Sequence, residues 1–237
     1  NLIFILIFLS FSFTALCQGG VNFEQLTFDE ALSKAKAENK LVFMDCYTTW
    51  CAPCKYMADN VFPREEAGEF FNPKFVSVKF DMENGEGKEL AQKFGVRAYP
   101  TFLIIRPDGS VQHRIVGGVN LDKFIEIAER GLNVKTSFDY LDRLHEKGKM
   151  NKKQLISYQI ALNDAYEEEK SNKVAQELKS ILKEKDKMQK EYWPILEKES
   201  FGSDGFKLVL NNLSTFRKNV GKEKIDNYLF ENYFSTI

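Results

Sequence analysis

Two cysteines separated by two residues, Cys51 and Cys54, are the side chains of this sequence best suited to chemistry. They follow a strand-like apolar run over residues 41–45 and precede a helix-like run over residues 55–59. At a helix N-terminus, unpaired backbone N–H groups and the helix dipole favour negative charge, which lowers the pKa of a thiol. We therefore expect Cys51 to be a nucleophile and Cys54 to resolve the mixed disulfide that it forms.

A zinc site is the alternative interpretation, because half of such a site has the same CxxC spacing. A complete tetrahedral site needs further ligands, and the remaining candidates are Cys17, Cys46, His113 and His145. They form neither a second CxxC nor a closely spaced histidine pair. The spacing therefore favours a redox pair, with no metal and no cofactor.

The residues around the cysteines resemble the active site of the thioredoxin family. Residues 44–55, MDCYTTWCAPCK, are similar to that family's active-site strand and turn, and residues 95–101, GVRAYPT, resemble its cis-proline loop. Residues 61–66, VFPREE, are similar to the thioredoxin-like reductase domains of the bacterial periplasm. The resemblance covers residues 23–133 and implies disulfide-exchange activity.

Asp45 and Lys79 are the expected proton-transfer residues. A lone carboxylate inside an apolar strand is costly to bury, so its pKa should be raised. The resemblance implies that Asp45 helps to move the proton of Cys54, and that Lys79 matches the lysine partner of that aspartate. A strand-end aspartate turned to solvent and an exposed strand lysine are the alternatives.

The resemblance also implies a substrate-binding side. A cis bond before Pro100 would orient the backbone of Tyr99 toward a substrate that pairs as an added strand. Tyr99 is bulkier than the aliphatic residue usual in thioredoxins, so substrate preference does not carry over. Trp50 is expected to cover the thiols, with simple packing as its alternative, and Pro53 is expected to stiffen the turn.

Residues 1–16 are almost wholly apolar and predict the core of a signal peptide. Small residues at Ala15 and Cys17 fit a cleavage site, so residues 1–17 are expected to be removed, and the sequence is expected to start inside this peptide. A retained anchor is disfavoured because the run is shorter than the roughly twenty residues that span a bilayer. Lipidation of Cys17 is disfavoured by the large Leu16 before it. Export predicts a periplasmic or other extracytoplasmic location.

The charge balance excludes some classes of partner. The chain has 33 basic and 34 acidic residues, for a net charge of −1, which argues against a nucleic-acid partner. After cleavage only Cys46 remains besides the redox pair, too few cysteines for a disulfide-stapled scaffold. We interpret Cys46 as a buried small hydrophobe, with a regulatory thiol as the alternative.

The order of predicted elements is typical of an α/β protein with the thioredoxin fold, a mixed central sheet flanked by helices. His113 is interpreted as a solvated strand residue. The predicted strands cover residues 41–47, 75–80, 101–105 and 111–116, and the predicted helices cover residues 28–38, 51–71 with a break at Pro63, 86–94 and 121–132.

A Lys/Glu-rich helical region follows from about residue 135. We therefore predict a thioredoxin-like domain over residues 18–134 and an α-helical domain over residues 135–237. Amphipathic segments are expected at residues 137–147, 151–169, 172–190, 204–219 and 222–234.

These observations predict a thiol–disulfide oxidoreductase that reduces or isomerises disulfides of exported proteins. Ala52-Pro53 resembles the Gly-Pro of reducing thioredoxins more than the His-containing dipeptides of strong oxidants. The expected partners are disulfide-containing exported proteins and a membrane or periplasmic electron donor, and peripheral membrane association stays open. The alternative is a client-binding or assembly module in which the thioredoxin-like domain is a docking surface with little redox turnover.

Overall fold

The structure, a computed structural model, describes residues 19–234. The predicted signal peptide, including Cys17, lies outside the described residues. Of the helices within residues 19–234, none combines the length and the apolar character needed to cross a membrane.

A four-stranded mixed sheet forms the centre of the first half of the chain, as predicted. The strand order is β2-β1-β3-β4, with β1 parallel to β2 and antiparallel to β3, and β3 antiparallel to β4. The strands are β1 (Leu41–Tyr47), β2 (Phe75–Asp81), β3 (Thr101–Ile105) and β4 (Val111–Val116). Every residue of β3 and the five central residues of β1 are buried, because helices cover both faces of the sheet.

Five helices flank the sheet and give it two hydrophobic layers. They are α1 (Phe28–Glu38), α2 (Ala52–Tyr56), α3 (Glu65–Phe71), α4 (Gly87–Phe94) and α5 (Leu121–Leu132). Helices α1 and α4 pack on one face, and α3, α5 and the turn that follows α2 pack on the other. A π-helical turn, Met57–Val61, ends α2 before Pro63, so the predicted break is confirmed.

The rest of the chain is helical and has its own hydrophobic clusters, one around Tyr158 and one around Trp193. Its helices are α6 (Phe138–Glu146), α7 (Lys152–Asp164), α8 (Glu168–Ile181), α9 (Glu184–Lys187), α10 (Trp193–Leu196), α11 (Asp204–Asn211), α12 (Leu213–Asn219) and α13 (Lys222–Phe234). Three predicted segments differ: 151–169 ends at Asp164, 172–190 begins earlier and breaks after Ile181, and 204–219 is split at Asn212. Below, residues 19–134 are the sheet domain and residues 135–234 the helical region.

His113 is buried where the two parts of the chain meet, so its interpretation as a solvated strand residue is wrong. Its side chain is 0% exposed, and its Nδ1 atom accepts a hydrogen bond from the Phe138 N–H at 3.0 Å. This bond satisfies the N-terminus of α6, where Ser137 makes no side-chain cap. A Cβ atom at Gly131 would lie 2.7 Å from the imidazole, so glycine lets α5 pass over the ring. The sequence pattern of β4 cannot reveal a helix that arrives 25 residues later.

Charged side chains complete this junction between the sheet domain and the helical region. Arg130 on α5 donates to one carboxylate oxygen of Asp164 through Nη2 at 2.7 Å and through Nε at 3.1 Å. The Asp164 side chain is only 3% exposed, which makes this ion pair largely desolvated. Removing one partner of such a pair leaves an uncompensated buried charge. Arg106 and Asp139 form a second ion pair across the junction, at 2.9 Å.

The buried His113 ring should make stability depend on pH. Burial, together with the smaller effect of the nearby Arg130 charge, lowers its pKa from 6.5 to about 3. Because the folded-state pKa lies below the unfolded value, the neutral ring stabilises the fold above pH 6.5, and this stability is lost as the pH falls toward 3. Between pH 6 and pH 4, the wild type should lose about 1.4 kcal/mol of unfolding free energy per pH unit more than His113→Asn, as measured by urea titration.

The control for this prediction is His145→Gln, which removes a partly exposed imidazole elsewhere in the helical region. It should follow the pH dependence of the wild type. Equal slopes for the wild type and His113→Asn would contradict the assignment of a neutral, buried His113.

Candidate active site

Cys51 is the N-cap residue of α2. The chain leaves β1 at Tyr47, turns through residues 48–50, and enters α2 with an extended backbone at Cys51. The Cys51 sulfur accepts a hydrogen bond from the Cys54 N–H at 3.1 Å. Pro53 lies in the first turn, where a missing N–H costs nothing and a fixed φ favours the helix. The sulfur of Cys51 therefore lies where the helix terminus stabilises a thiolate.

Cys51 and Cys54 are joined by a disulfide bond, with their Cα atoms 5.3 Å apart. Both residues are shielded, with exposed fractions of 4% and 6%. Cys46, the third cysteine of the sheet domain, is fully buried, and burial raises the pKa of its thiol far above the usual range. It packs as a hydrophobe, in agreement with its interpretation from the sequence.

Asp45 is buried in the middle of β1, with 6% of its surface exposed. Its Oδ1 atom has no hydrogen-bond partner among residues 19–234. Burial raises its pKa from 3.8 to about 7, and the charge of Lys79 opposes this rise only in part. Lys79 lies opposite Asp45 in the register of β1 and β2 and is exposed. Its ammonium group is 5.7 Å from the centre of the Phe23 ring.

One cavity brings the four predicted chemical residues together. It has a volume of about 210 Å³, and its lining includes Cys51, Cys54, Asp45 and Lys79. Within the described part of the chain, no group of three or more His, Cys, Asp or Glu side chains is placed to hold a metal ion. The arrangement can support thiol–disulfide exchange, with a carboxylate that lines the same cavity as the two sulfur atoms.

The predicted substrate-binding residues Trp50, Tyr99 and Pro100 lie outside the lining of this cavity and form a rim beside it. The Tyr99–Pro100 peptide bond is cis, as expected from the sequence. The Trp50 side chain is 67% exposed, so it does not simply pack in the core. Its ring meets the Tyr99 ring edge-on, with centroids 5.9 Å apart.

Two further residues beside this rim were not predicted from the sequence. Glu83 accepts a hydrogen bond from the Trp50 indole N–H at 2.9 Å and so fixes the exposed ring. The available signal was topological: β1 and β2 are parallel, so the loops after them lie at the same sheet edge. Gly118 is the second residue. A Cβ atom at this position would lie 3.2 Å from the Pro53 carbonyl oxygen, so glycine allows its backbone to lie close to α2.

In a comparison with known proteins, residues 28–132 match a family model described as a thioredoxin-like domain. A thioredoxin H-type from Oryza sativa subsp. indica is 42% identical over 90 residues, which are 38% of this chain and 68% of the rice protein. The thiol:disulfide interchange protein DsbD from Pseudomonas fluorescens is 32% identical over 99 residues, or 40% of this chain. That match spans only 17% of DsbD.

Among solved structures, the solution structure of a proposed disulphide-isomerase from Bacteroides thetaiotaomicron is similar to this chain. Its sequence identity is 44%, and the match covers 48% of this chain and 95% of that protein. The TM-score is 0.45.

The buried carboxylate of Asp45 should destabilise the fold at neutral and alkaline pH. Its folded-state pKa lies above the unfolded value, so stability is fully present below pH 3.8 and is lost as the pH rises through 7. Asp45→Asn should therefore raise the unfolding free energy of the oxidised protein by up to about 4 kcal/mol at pH 8 and change it little at pH 4. Urea titration at the two pH values measures this difference.

Asp59→Asn, which removes an exposed carboxylate from the π-helical turn after α2, is the matched control. It should shift stability by less than about 0.5 kcal/mol at either pH. A stability gain for Asp45→Asn that is the same at pH 4 and pH 8 would show that Asp45 is not the buried titrating group.

Proposed function

The chain belongs to the thioredoxin superfamily, and from this membership we propose that it is a thiol–disulfide oxidoreductase that reduces or isomerises disulfides of exported proteins. The observation that carries the proposal is the Cys51–Cys54 disulfide at the start of α2, which lines one cavity with the buried Asp45. The proposed reaction uses side chains of this chain alone and requires neither a metal nor a cofactor.

The first step is nucleophilic attack by reduced Cys51. Its thiolate attacks one sulfur of a client disulfide, a new S–S bond forms, and the client S–S bond breaks. The second client sulfur leaves as a thiolate and takes a proton from water. The helix N-terminus favours the attacking thiolate, because the Cys54 N–H already points at the Cys51 sulfur.

The second step resolves the mixed disulfide. Asp45 accepts the proton of Cys54, and the new thiolate attacks the Cys51 sulfur. The Cys51–Cys54 disulfide forms, and the client sulfur leaves as a thiolate. A cavity of about 210 Å³ has room for water to carry this proton. A pKa near 7 lets Asp45 both take up and release protons near neutral pH.

The rim formed by Trp50, Tyr99 and Pro100 is the proposed docking site for the client. Among the described residues, neither the N–H nor the C=O of Tyr99 makes a hydrogen bond. Both groups are therefore free to pair with an extended client segment, in the manner of an added strand. The exposed Trp50 ring, held by Glu83, supplies an apolar surface beside that segment.

Each turnover moves two electrons from the Cys51–Cys54 dithiol to the client, so a thiol reductant must return them. We propose a membrane or periplasmic dithiol protein for this role and an extracytoplasmic location for the chain. Two observations support this proposal: the apolar segment that precedes residue 18, and the similarity to part of a thiol:disulfide interchange protein. The Ala52-Pro53 dipeptide supports the reducing direction.

Insulin reduction in the presence of dithiothreitol tests this function. The wild type should accelerate insulin precipitation, and Cys51→Ser should abolish the acceleration because the nucleophile is lost. Asp45→Asn should slow turnover about tenfold or more at pH 7, since it removes the proton acceptor. Cys46→Ala, which alters the buried cysteine outside the redox pair, is the matched control and should keep wild-type activity.

Two outcomes would contradict the proposal. Activity in neither the wild type nor Cys51→Ser would favour the alternative, a client-binding module with little redox turnover. A wild-type rate in Asp45→Asn across the pH range would show that Asp45 has no part in proton transfer.

A further inference from the structure

A second cleft lies where the sheet domain meets the helical region. It has a volume of about 390 Å³ and is separate from the cavity lined by Cys51 and Cys54. One wall is the loop before Pro100 together with β4, and it includes Arg97 and Arg114. The other wall is the turn between α7 and α8, residues 165–167. We call this space the junction cleft.

The junction cleft adjoins the proposed client-docking site. Ala98 and Thr101, which line the cleft, lie directly before and after the Tyr99–Pro100 peptide. The Thr101 hydroxyl donates to the Ala98 carbonyl at 2.8 Å, which closes the loop around that peptide. A client segment that pairs with Tyr99 would therefore continue toward the cleft.

Positive charge in the junction cleft is in excess. Arg97 is exposed, and among residues 19–234 it has neither a hydrogen bond nor an ion pair. Arg114 is half-buried, and the one hydrogen bond of its guanidinium group within these residues goes to the Phe94 carbonyl, at the end of α4. Glu167 is the one carboxylate of the lining; it forms no ion pair within the described residues, and its charge acts on Arg114, which leaves Arg97 as the uncompensated cation. Two guanidinium groups against one carboxylate favour an anionic ligand.

The helical wall of the cleft is held in a fixed and unusual conformation. Tyr166 has a φ angle of 57°, in the left-handed region that bulky residues seldom adopt, and its side chain is 64% exposed. The turn is closed by the Glu167 N–H, which donates to the Leu162 carbonyl at 2.9 Å. Just before it, Asp164 is anchored to Arg130 of the sheet domain. Strained backbone and an exposed aromatic ring beside a cleft are typical of a binding surface.

We propose that the junction cleft is a client-binding site that selects polypeptide segments with an acidic side chain close to the disulfide to be exchanged. Arg97 and Arg114 bind the client carboxylate, and the Tyr166 ring packs against the client backbone. The helical region thereby takes part in substrate selection. This proposal rests on the proposed disulfide-exchange function.

Two synthetic peptides, each with one internal disulfide, provide the probe. They are identical except that the positions two to four residues from one cysteine carry Asp in the first and Asn in the second. The full-length wild type should reduce the Asp peptide with a kcat/KM about fivefold above that for the Asn peptide. Added salt should lower this preference, because the contact is between charges at the protein surface.

Variants in the two walls of the junction cleft separate the contribution of the arginine charge from that of the Tyr166 ring. Arg97→Gln should bring the Asp/Asn ratio to about one, and Arg97→Glu should invert it. Tyr166→Asn, which tolerates the left-handed backbone, should raise KM for both peptides by about threefold. Arg143→Gln removes an arginine whose side chain is 62% exposed, on α6 outside the cleft, and should keep the wild-type ratio.

The outcomes distinguish the two proposals. Equal kcat/KM for the two peptides in the wild type, or an unchanged ratio in both Arg97 variants, would overturn the role of the cleft while leaving the oxidoreductase function standing. Reduction of neither peptide by the wild type would overturn both. The circular dichroism spectrum of each Arg97 variant should match that of the wild type. Arg97→Glu should prefer the Asn peptide, which a general loss of activity could not produce.

Discussion

The carboxylate of Asp45 lies inside a buried strand, and the same strand ends in the helix N-terminus that carries Cys51. Burying a carboxylate without a hydrogen bond to Oδ1 opposes folding, and its pKa near 7 reflects that cost. Helices on both faces of β1 must supply enough apolar packing to offset it. The proposed chemistry depends on this raised pKa, because a carboxylate that titrates near neutral pH can exchange protons with Cys54.

The helical region is attached to the sheet domain beside β4, the edge strand of the sheet. His113 and Arg130 of the sheet domain bind α6 and α7, through the Phe138 N–H and the Asp164 carboxylate. This attachment brings the α7–α8 turn against the loop that ends at the cis peptide bond. The helical region contains no cysteine and cannot relay electrons by thiol exchange. Its position instead suits a role in client selection, as proposed for the junction cleft.

Much of the sheet domain was predictable from local sequence signals. The bounds of β1 and α5 follow from apolar runs with clear turns or caps at their ends, and the break at Pro63 follows from the chemistry of proline. The redox pair was predictable because the motif and its strand-to-helix context are contiguous in sequence. Three features were not predictable in this way: the role of Glu83, the burial of His113 and the junction cleft. Each depends on contacts between segments that are far apart in the chain.

Equilibration of the Cys51–Cys54 pair with glutathione buffers tests the central claim, that this chain acts as a reductant or isomerase, most directly. The fraction of reduced protein, measured by thiol trapping over a range of glutathione ratios, gives the reduction potential. The account predicts a value between about −270 mV, as in thioredoxin, and about −180 mV, as in protein disulfide isomerase. A potential near about −120 mV, the range of strong oxidants, would contradict it.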